Sequence, residues 1–180
     1  MVTIHIIAGP HCALKTAFFN SRTFNSYLRL SAEGLYDQLA KEEILLRDGF
    51  LVKNFEDIWM NTIVQAIETA PPDLNIAVDG FTLVDEPYAY NFSTAAAVYR
   101  FIDIVRDAVR KNCLHRDFCF VIHWLALPLP LRQILNHRRP KPYATDQLRY
   151  AVYWDTDITD PDVTLRIHNT DEVFSAFYVE

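Results

Sequence analysis

The sequence predicts an α/β protein in which a mainly parallel sheet is covered by helices on both faces. Short apolar blocks alternate with longer segments whose apolar residues recur every three or four positions, which is typical of strands joined by helices. Three of the four blocks are nearly continuous, as a parallel strand buried on both faces requires. The predicted strands are residues 2–8, 75–78, 118–124 and 163–167.

Three helices are predicted between these strands from their caps and apolar stripes. Ser31 can cap a helix that ends at Gly49. Asn54 can cap a second helix that stops before the proline pair at 71–72, and Ser93 starts a third. Such alternation places ligands at the carboxyl ends of the strands, where the loops lead into helices.

Composition limits the class of protein. The 180 residues are 51% hydrophobic and 22% charged, which is typical of a folded chain and excludes disorder. The net charge of −6 argues against a protein that coats duplex nucleic acid or anionic lipid through bulk charge. The sequence has no apolar run of the roughly 18 to 20 residues that cross a bilayer, and three cysteines are too few for a disulfide framework. We therefore expect one domain, residues 1–180, in a reducing cytoplasm.

The segment after the first predicted strand matches most of a P-loop, the phosphate-binding pattern G-x-x-x-x-G-K-[ST]. Gly9, Lys15 and Thr16 occupy three of its four fixed positions. The pattern implies that backbone amides of the loop bind phosphate, that Lys15 reaches the β- and γ-phosphates, and that the Thr16 hydroxyl binds Mg²⁺. The predicted nucleotide-binding residues of the loop are Gly9, Pro10, His11, Cys12, Ala13, Leu14, Lys15 and Thr16.

The fourth fixed position of the loop departs from the pattern. Leu14 stands where glycine is expected, and its Cβ can crowd the phosphate or force a different backbone path. His11 and Cys12 also suggest a metal-binding or nucleophilic pair, but no base is located for Cys12, so packing within the loop is the better interpretation. A plain strand-to-helix turn with Lys15 in solvent is the alternative for the whole segment.

Together with the segments that follow, this loop resembles that of the small P-loop kinases, particularly the polynucleotide-kinase and zeta-toxin-like group that phosphorylates hydroxyls. The likeness spans nearly the whole chain and implies a three-layer α/β/α P-loop NTPase fold with a short lid at about residues 132–147. Residues 30–36 resemble the end of the family's second strand, where a carboxylate serves as base for the acceptor hydroxyl. Glu33 stands at that position, and Tyr36 stands where the family often has arginine.

The resemblance continues in the third predicted strand, an apolar run closed by Asp79 and Gly80. It implies that Asp79 holds Mg²⁺ through water, so Thr16 and Asp79 are the predicted metal-binding residues, and Asp79 is also predicted to be catalytic. An ordinary strand-end turn is the competing interpretation.

A dense basic cluster follows the fourth predicted strand. It resembles the family's lid, in which a helix delivers arginines over ATP to neutralise the transferred phosphoryl group. Arg132 and Arg139 are the predicted catalytic arginines, and Arg138 is a further nucleotide contact. After the last strand, Asn169 and Thr170 stand where relatives bind adenine, although a helix cap is an equal alternative there.

Two cysteines and two histidines around the fourth strand suggest a zinc site. These residues are Cys113, His115, Cys119 and His123. A strand rises about 3.3 Å per residue, which holds the Cys119 and His123 side chains roughly 13 Å apart, too far to share one ion. The cluster is therefore not interpreted as a metal site.

The resulting hypothesis is an ATP-dependent kinase that uses Mg²⁺ and moves the γ-phosphate to a hydroxyl of a nucleoside, a modified base or a nucleic-acid 5′ end. The net charge favours a small or single-stranded acceptor, and aromatic residues after the third strand can stack a base. These are Tyr88, Tyr90 and Phe92. Two alternatives are a nucleoside monophosphate kinase, whose usual Pro-Arg is replaced by Thr82-Leu83, and a nucleotide-binding protein without transfer activity, motivated by Leu14.

Overall fold

The computed structural model describes residues 1–42, 51–81, 90–112, 115–149, 154 and 156–177. Its strands are β1 (Val2–Ala8), β2 (Leu28–Ser31), β3 (Asn75–Asp79), β4 (Phe118–Leu125) and β5 (Val163–His168). Its helices are α1 (Lys15–Phe19), α2 (Ala32–Lys41), α3 (Leu51–Thr69), α4 (Ala95–Lys111), α5 (Leu129–His137), α6 (Thr145–Arg149) and α7 (Thr170–Ser175), and a 3₁₀ turn spans Arg22–Phe24. All four predicted strands form, each within one residue of its predicted end.

The five strands form one parallel sheet in the order β2-β3-β1-β4-β5. This confirms the predicted mainly parallel α/β class and is consistent with a P-loop-like three-layer kinase fold. β2 is absent from the predicted apolar blocks because it is a short edge strand without a fully buried residue. Its end was anticipated only through the resemblance. The central strand β1 leads directly into the predicted P-loop.

Two hydrophobic layers cover the sheet. On one face, α2, α3 and α4 pack over the larger core, which contains the fully buried Trp59 and Phe101. On the other face, α1, α5 and α7 pack over a smaller core that contains Phe18 and Val173. Burying one large apolar side chain stabilises a fold by about 1.5–3 kcal/mol relative to exposing it, so the larger core dominates the stability. In the described ranges, no helix is long and apolar enough to span a bilayer.

The predicted cap of α2 is confirmed, but its predicted end is wrong. The Ser31 hydroxyl accepts a hydrogen bond from the Gly34 N–H at 3.1 Å, which satisfies one of the free amides at the helix start. α2 ends at Lys41 rather than at Gly49. Residues 43–50 lie outside the described ranges.

The other two predicted caps are wrong. α3 begins at Leu51, so Asn54 already lies within the helix and cannot be its cap. α4 is capped by Thr94, whose hydroxyl accepts the backbone N–H three residues later at 3.2 Å. Ser93 belongs to the preceding turn, where its amide donates to the Asn91 side chain at 3.0 Å. Sequence alone did not distinguish two adjacent hydroxyl residues.

Three histidines form a hydrogen-bonded chain across the sheet. His5 Nδ1 lies 2.9 Å from His123 Nε2, and His123 Nδ1 lies 2.9 Å from His168 Nε2. His5 Nε2 lies 3.1 Å from the Asn75 side-chain oxygen, which can only accept. Therefore neutral His5 donates from Nε2 and accepts at Nδ1. His123 and His168 must then each donate from Nε2 as well, to His5 Nδ1 and His123 Nδ1 respectively. Phe18 of α1 packs against His123 and His168 and covers the chain.

Burial makes these imidazoles hard to charge. It lowers the pKa of His123 to about 3, with the neighbouring histidines adding to the effect, and it also lowers the pKa values of His5 and His168. The folded-state values lie below the unfolded value of 6.5, so the unfolded state takes up more protons as the solution is acidified. Stability provided by the neutral chain is present above pH 6.5 and is lost as the pH falls towards the folded-state values.

We therefore expect the urea midpoint of unfolding to fall steeply between pH 6.5 and pH 4. His123→Phe keeps a ring in the core but removes the group whose pKa is lowered to about 3. The urea midpoint of this variant should be lower than that of wild type at pH 7.5 but should depend less on pH. His115→Gln, at an exposed position, is the matched control and should retain the wild-type pH dependence. Equal pH dependence of all three proteins would contradict this account.

Candidate active site

The loop between β1 and α1 begins with a glycine that cannot be replaced without a clash. Gly9 has a φ of 153°, and a Cβ there would lie 3.0 Å from the Leu125 carbonyl oxygen and 3.3 Å from the Ala13 Cβ. The Gly9 amide donates to the Phe92 carbonyl at 3.0 Å. The first fixed position of the pattern is thus set by close packing between β4 and the loop.

Leu14 follows the left-handed backbone path that a glycine favours. Its φ is 63° and its ψ is 28°, and Cys12 also has a left-handed φ of 61°. For a residue with a Cβ this conformation costs roughly 1–2 kcal/mol. The Leu14 side chain is partly buried and packs against the smaller core. Leu14 therefore adopts a backbone conformation that favours glycine and bears its steric cost.

Lys15 folds back over the loop. Its Nζ donates to the carbonyl oxygens of Gly9 at 2.7 Å and Pro10 at 3.0 Å. Burial lowers the pKa of Lys15 to about 8, although the Asp79 carboxylate opposes that shift. The alternative of a lysine in open solvent is wrong, because this ammonium group is drawn into the loop. Thr16, the next residue, is exposed.

Asp79 lies at the end of β3, beside the end of β1, with Ile7 as its partner in register. Its side chain is fully buried, and neither carboxylate oxygen has a hydrogen-bond partner in the part of the chain that the structure describes. Burial raises the pKa of Asp79 to about 6; contact with the Thr16 side chain and the Gly80 N–H opposes the shift, as does the charge of Lys15, and Glu33 adds to it. A buried carboxylate with no partner is the kind of group that binds a cation.

These residues surround a cavity of about 400 Å³. The loop forms one wall, the first turn of α2 and the end of β3 form another, and α5 with the following turn forms the rim. The lining residues are His11, Cys12, Ala13, Leu14, Lys15, Thr16, Ala17, Glu33, Gly80, Phe81, Phe92, Leu135, Arg139 and Tyr143. The structure therefore brings Lys15, Thr16, Glu33 and Arg139 to one cavity, with Asp79 buried next to it.

The three predicted lid arginines have different surroundings. Arg139 lines the cavity, whereas Arg138 is exposed and does not line it. Arg132 is fully buried and donates to the carbonyl oxygens of Leu127 at 3.1 Å, His11 at 3.1 Å and Leu148 at 2.7 Å. In this geometry Arg132 ties three chain segments together and its guanidinium does not line the cavity.

Asn169 and Thr170 do not line the cavity either. Asn169 caps α7: its side chain accepts from the Glu172 N–H at 3.0 Å, and its own N–H donates to the Glu172 carboxylate at 2.7 Å. This reciprocal pair is a capping box, the alternative raised for this segment, with Asn169 rather than Thr170 as the cap. Their predicted contact with adenine stays a prediction.

Sequence reasoning did not single out the rim residues Asn136 and Tyr143. Asn136 holds the backbone of Tyr143 by two hydrogen bonds, and the Tyr143 ring lies 4.5 Å from the His11 ring. An isolated asparagine and tyrosine carry no motif, so only the folded chain shows this contact. Of the predicted aromatic residues, Phe92 lines the cavity, Tyr90 is buried in the larger core, and Tyr88 lies outside the described ranges.

The cysteine and histidine cluster is dispersed. Cys119 contacts Thr3, His123 belongs to the histidine chain, and His115 is exposed, while Cys113 lies outside the described ranges. Among the described residues, no group of three or more His, Cys, Asp or Glu side chains is arranged to hold a metal ion.

Comparison with known proteins finds similar solved structures. No family model and no curated protein matches the chain. Among solved structures, the chain is similar to an unliganded sugar kinase from Janibacter sp. HTCC2649, with a TM-score of 0.48 and 12% identity over 97% of this chain and 88% of that chain. At these values the likeness assigns no family, and the description of the fold rests on the sheet topology itself.

Leu14→Gly tests the backbone strain. Glycine takes the left-handed conformation without the steric cost, but it also loses the packing of the leucine side chain. The comparison with Leu14→Ala isolates the strain, since alanine loses the same packing and keeps the Cβ. We expect Leu14→Gly to be more stable than Leu14→Ala by roughly 1 kcal/mol in urea unfolding. Equal stability of the two variants would show that the loop relaxes around residue 14.

Asp79→Asn tests the cost of the buried carboxylate. The folded-state pKa of about 6 lies above the unfolded value of 3.8, so the charged form destabilises the ligand-free fold. The variant should be more stable than wild type by on the order of 1–3 kcal/mol above pH 6, and the gain should shrink as the pH falls to about 4. Asp117→Asn, at an exposed site, is the control. A destabilised Asp79→Asn protein at pH 8 would contradict the assignment.

Proposed function

We propose that this protein is an ATP-dependent kinase that transfers the γ-phosphate to a hydroxyl group. The observation that carries the proposal is the arrangement of Lys15 and Thr16 at the start of α1. Both residues lie close to the buried carboxylate of Asp79, whose oxygens have no hydrogen-bond partner among the described residues. Both also line the cavity that Glu33 lines. A loop of this kind binds phosphate through backbone amides and a lysine, which is the polyanion-binding half of a phosphotransfer site.

Lys15 would bind the β- and γ-phosphates. Its ammonium group is already held at the loop by two carbonyl oxygens, so little side-chain entropy remains to be lost on binding. Its pKa of about 8 means that the charged form is disfavoured by burial. A bound phosphate would raise this pKa, because a nearby opposite charge stabilises an ammonium group.

Mg²⁺ fits the residues at this end of the cavity. Thr16 offers an exposed hydroxyl, and Asp79 offers two oxygen atoms that lack hydrogen-bond partners among the described residues. Hard oxygen ligands of this type suit Mg²⁺, which is usually held by one or two protein side chains and by substrate phosphates. When bound, the ion would neutralise charge on the phosphates. Thr16 and Asp79 would hold the ion at the carboxyl edge of the sheet.

Glu33 is the proposed base for the acceptor hydroxyl. It is exposed in the first turn of α2 and lines the same cavity as Lys15, so an acceptor bound in the cavity would be able to contact it. The alternative role of Glu33 is a favourable contact with the amino end of the helix behind the Ser31 cap. Arg139, on the rim, is placed to contact the transferred phosphoryl group, where a forked donor stabilises charge on the oxygens.

The proposed acceptors are a nucleoside, a modified base or a single-stranded nucleic-acid 5′ end. Phe81 and Phe92 line the acceptor side of the cavity and offer ring surfaces for a base. The net charge of −6 disfavours a long duplex. The polynucleotide-kinase-like grouping remains a proposal drawn from the sequence resemblance.

A second candidate is a nucleotide-binding protein without transfer activity. The strained Leu14 favours it, because the side chain lines the cavity at the position where the loop pattern has no side chain. A Cβ there can hold the phosphate away from the productive position while leaving binding intact.

The deciding experiment measures ATP consumption with nucleosides, nucleotides and 5′-hydroxyl oligonucleotides, and locates the product phosphate by mass spectrometry. Transfer to a hydroxyl supports the proposal, and transfer onto an existing phosphate identifies a nucleoside monophosphate kinase instead. Binding of MgATP without turnover for any acceptor supports the second candidate. Lys15→Ala is the negative control, and unchanged turnover in it would remove the P-loop interpretation.

Glu33→Gln tests the base. If Glu33 takes the hydroxyl proton, the variant should keep its ATP affinity and lower kcat by roughly 10²–10⁴-fold, the usual effect of losing a positioned base. Asp37→Asn, exposed one helical turn later, is the matched control and should retain kcat. A Glu33→Gln enzyme with wild-type kcat and a slightly lower melting temperature would show that Glu33 serves only the helix start.

A further inference from the structure

The helix α5 presents two buried polar side chains on one face. Arg132 and Asn136 are one helical turn apart, and only 0% and 6% of their surfaces are exposed. Arg132 binds the carbonyl oxygens of His11 in the loop and Leu148 in α6. The pair therefore fastens the P-loop to the chain that returns after α5, and we name it the α5 clamp.

Asn136 fixes the backbone of one residue in that returning chain. The Tyr143 N–H donates to Asn136 Oδ1 at 2.8 Å, and Asn136 Nδ2 donates to the Tyr143 carbonyl at 3.0 Å. The Cys12 thiol also lies 3.6 Å from Asn136 Oδ1, within the sulfur hydrogen-bond range. Both backbone polar groups of Tyr143 are thus held by one buried side chain, which closes the turn of residues 137–142 between them.

Tyr143 in turn supports Arg139. The Arg139 guanidinium carbon lies 4.6 Å from the centre of the Tyr143 ring, a cation–π distance. The centre of the Tyr143 ring also lies 4.5 Å from the centre of the His11 ring, and this contact supports the tyrosine side chain. The one hydrogen bond given by the Arg139 side chain in the described chain is long, 3.5 Å to the Lys141 carbonyl. The exposed Arg139 side chain therefore relies on Tyr143 for its place on the cavity rim.

We propose that Asn136 is a positioning residue, which acts through Tyr143 to hold Arg139 at the phosphate end of the cavity. Arg139 lines the same cavity as Lys15 and lies near enough to that lysine to lower its pKa. An arginine on an exposed turn would otherwise lose rotamer freedom when it binds a phosphate, and the clamp reduces that loss in advance. This inference rests on the proposed kinase function.

The test compares Asn136→Ala in two backgrounds. Arg139→Ala alone should lower kcat by about 10²–10³-fold, the usual loss for a donor that stabilises developing charge. Asn136→Ala alone should lower kcat by about 10–100-fold, since Arg139 is then present but not held. In the Arg139→Ala background, Asn136→Ala should lower kcat no further, because the side chain through which it acts is gone. Equal losses in both backgrounds overturn the proposal.

Two further variants separate positioning from folding. Tyr143→Leu keeps both backbone bonds to Asn136 and removes the ring, so it should reproduce the kcat loss of Asn136→Ala, and wild-type kcat in it overturns the proposal. This variant also decides the question if Asn136→Ala does not fold. Asn112→Ala is the control for removing an asparagine that binds backbone far from the cavity, and it should retain kcat.

Reactivity of Cys12 provides a readout independent of turnover. Release of the turn in Asn136→Ala should speed modification of Cys12 by a thiol reagent, located by peptide mass mapping, while Tyr143→Leu should change it less. An unchanged rate in Asn136→Ala overturns the clamp. If the wild-type protein does not bind MgATP in calorimetry, both the proposed function and this inference are wrong. If it binds MgATP but Asn136→Ala lowers kcat equally in both backgrounds, only this inference is wrong.

Discussion

The candidate site depends on a carboxylate that the fold buries without a partner. The parallel pairing of β1 and β3 places Asp79 next to the β1–α1 loop, at the carboxyl end of β3, where burial keeps water from solvating its charge. The same burial lowers the pKa of Lys15 to about 8, so the anion and the cation of the site are both destabilised in the ligand-free protein. A polyanion bound with a divalent cation would stabilise both buried charges, since each would gain an opposite charge nearby. Binding of such a ligand explains why a fold would keep two charges that are unfavourable without it.

The buried guanidinium of Arg132 differs from the buried carboxylate of Asp79 in its hydrogen bonds. Arg132 is as deeply buried as Asp79, yet three carbonyl oxygens accept from its guanidinium. A charge with such partners organises the backbone, since it links the segment after β4, the β1–α1 loop and α6. A buried charge without such partners is suited to binding an ion, because folding has already removed its hydrating water.

The loop between β1 and α1 is shaped by packing on both of its sides. Gly9 lies against Leu125, which fixes where the loop leaves the sheet, and α1 rests through Phe18 on the histidine chain. The strained backbone of Leu14 lies between these two anchors and is held by them. Changes in the charge of the histidine chain therefore act on the surface that supports α1, one turn away from Lys15.

The sequence by itself determined β1, β3, β4 and β5 and the class of the sheet, because nearly continuous apolar blocks between helical segments are typical of buried parallel strands. It also placed Gly9, Lys15 and Thr16 on one loop, since that pattern is local, and it marked Asp79 by its position at a strand end. Helix starts at Asn54 and Ser93 were misplaced, because neighbouring polar residues cap equally well in isolation and tertiary contacts choose between them.

Tertiary structure alone decided which of the distant polar residues meet. Arg132 and Arg139 look alike in a basic cluster, but the rotation of α5 buries the first under backbone carbonyls and leaves the second at the cavity rim. Asn136, Tyr143 and the three histidines carry no sequence pattern, and several of their contacts join distant residues, 118 positions apart for His5 with His123 and 124 for Cys12 with Asn136. Such contacts depend on strand register and helix rotation, and these are set by the packing of the whole chain rather than by any local segment.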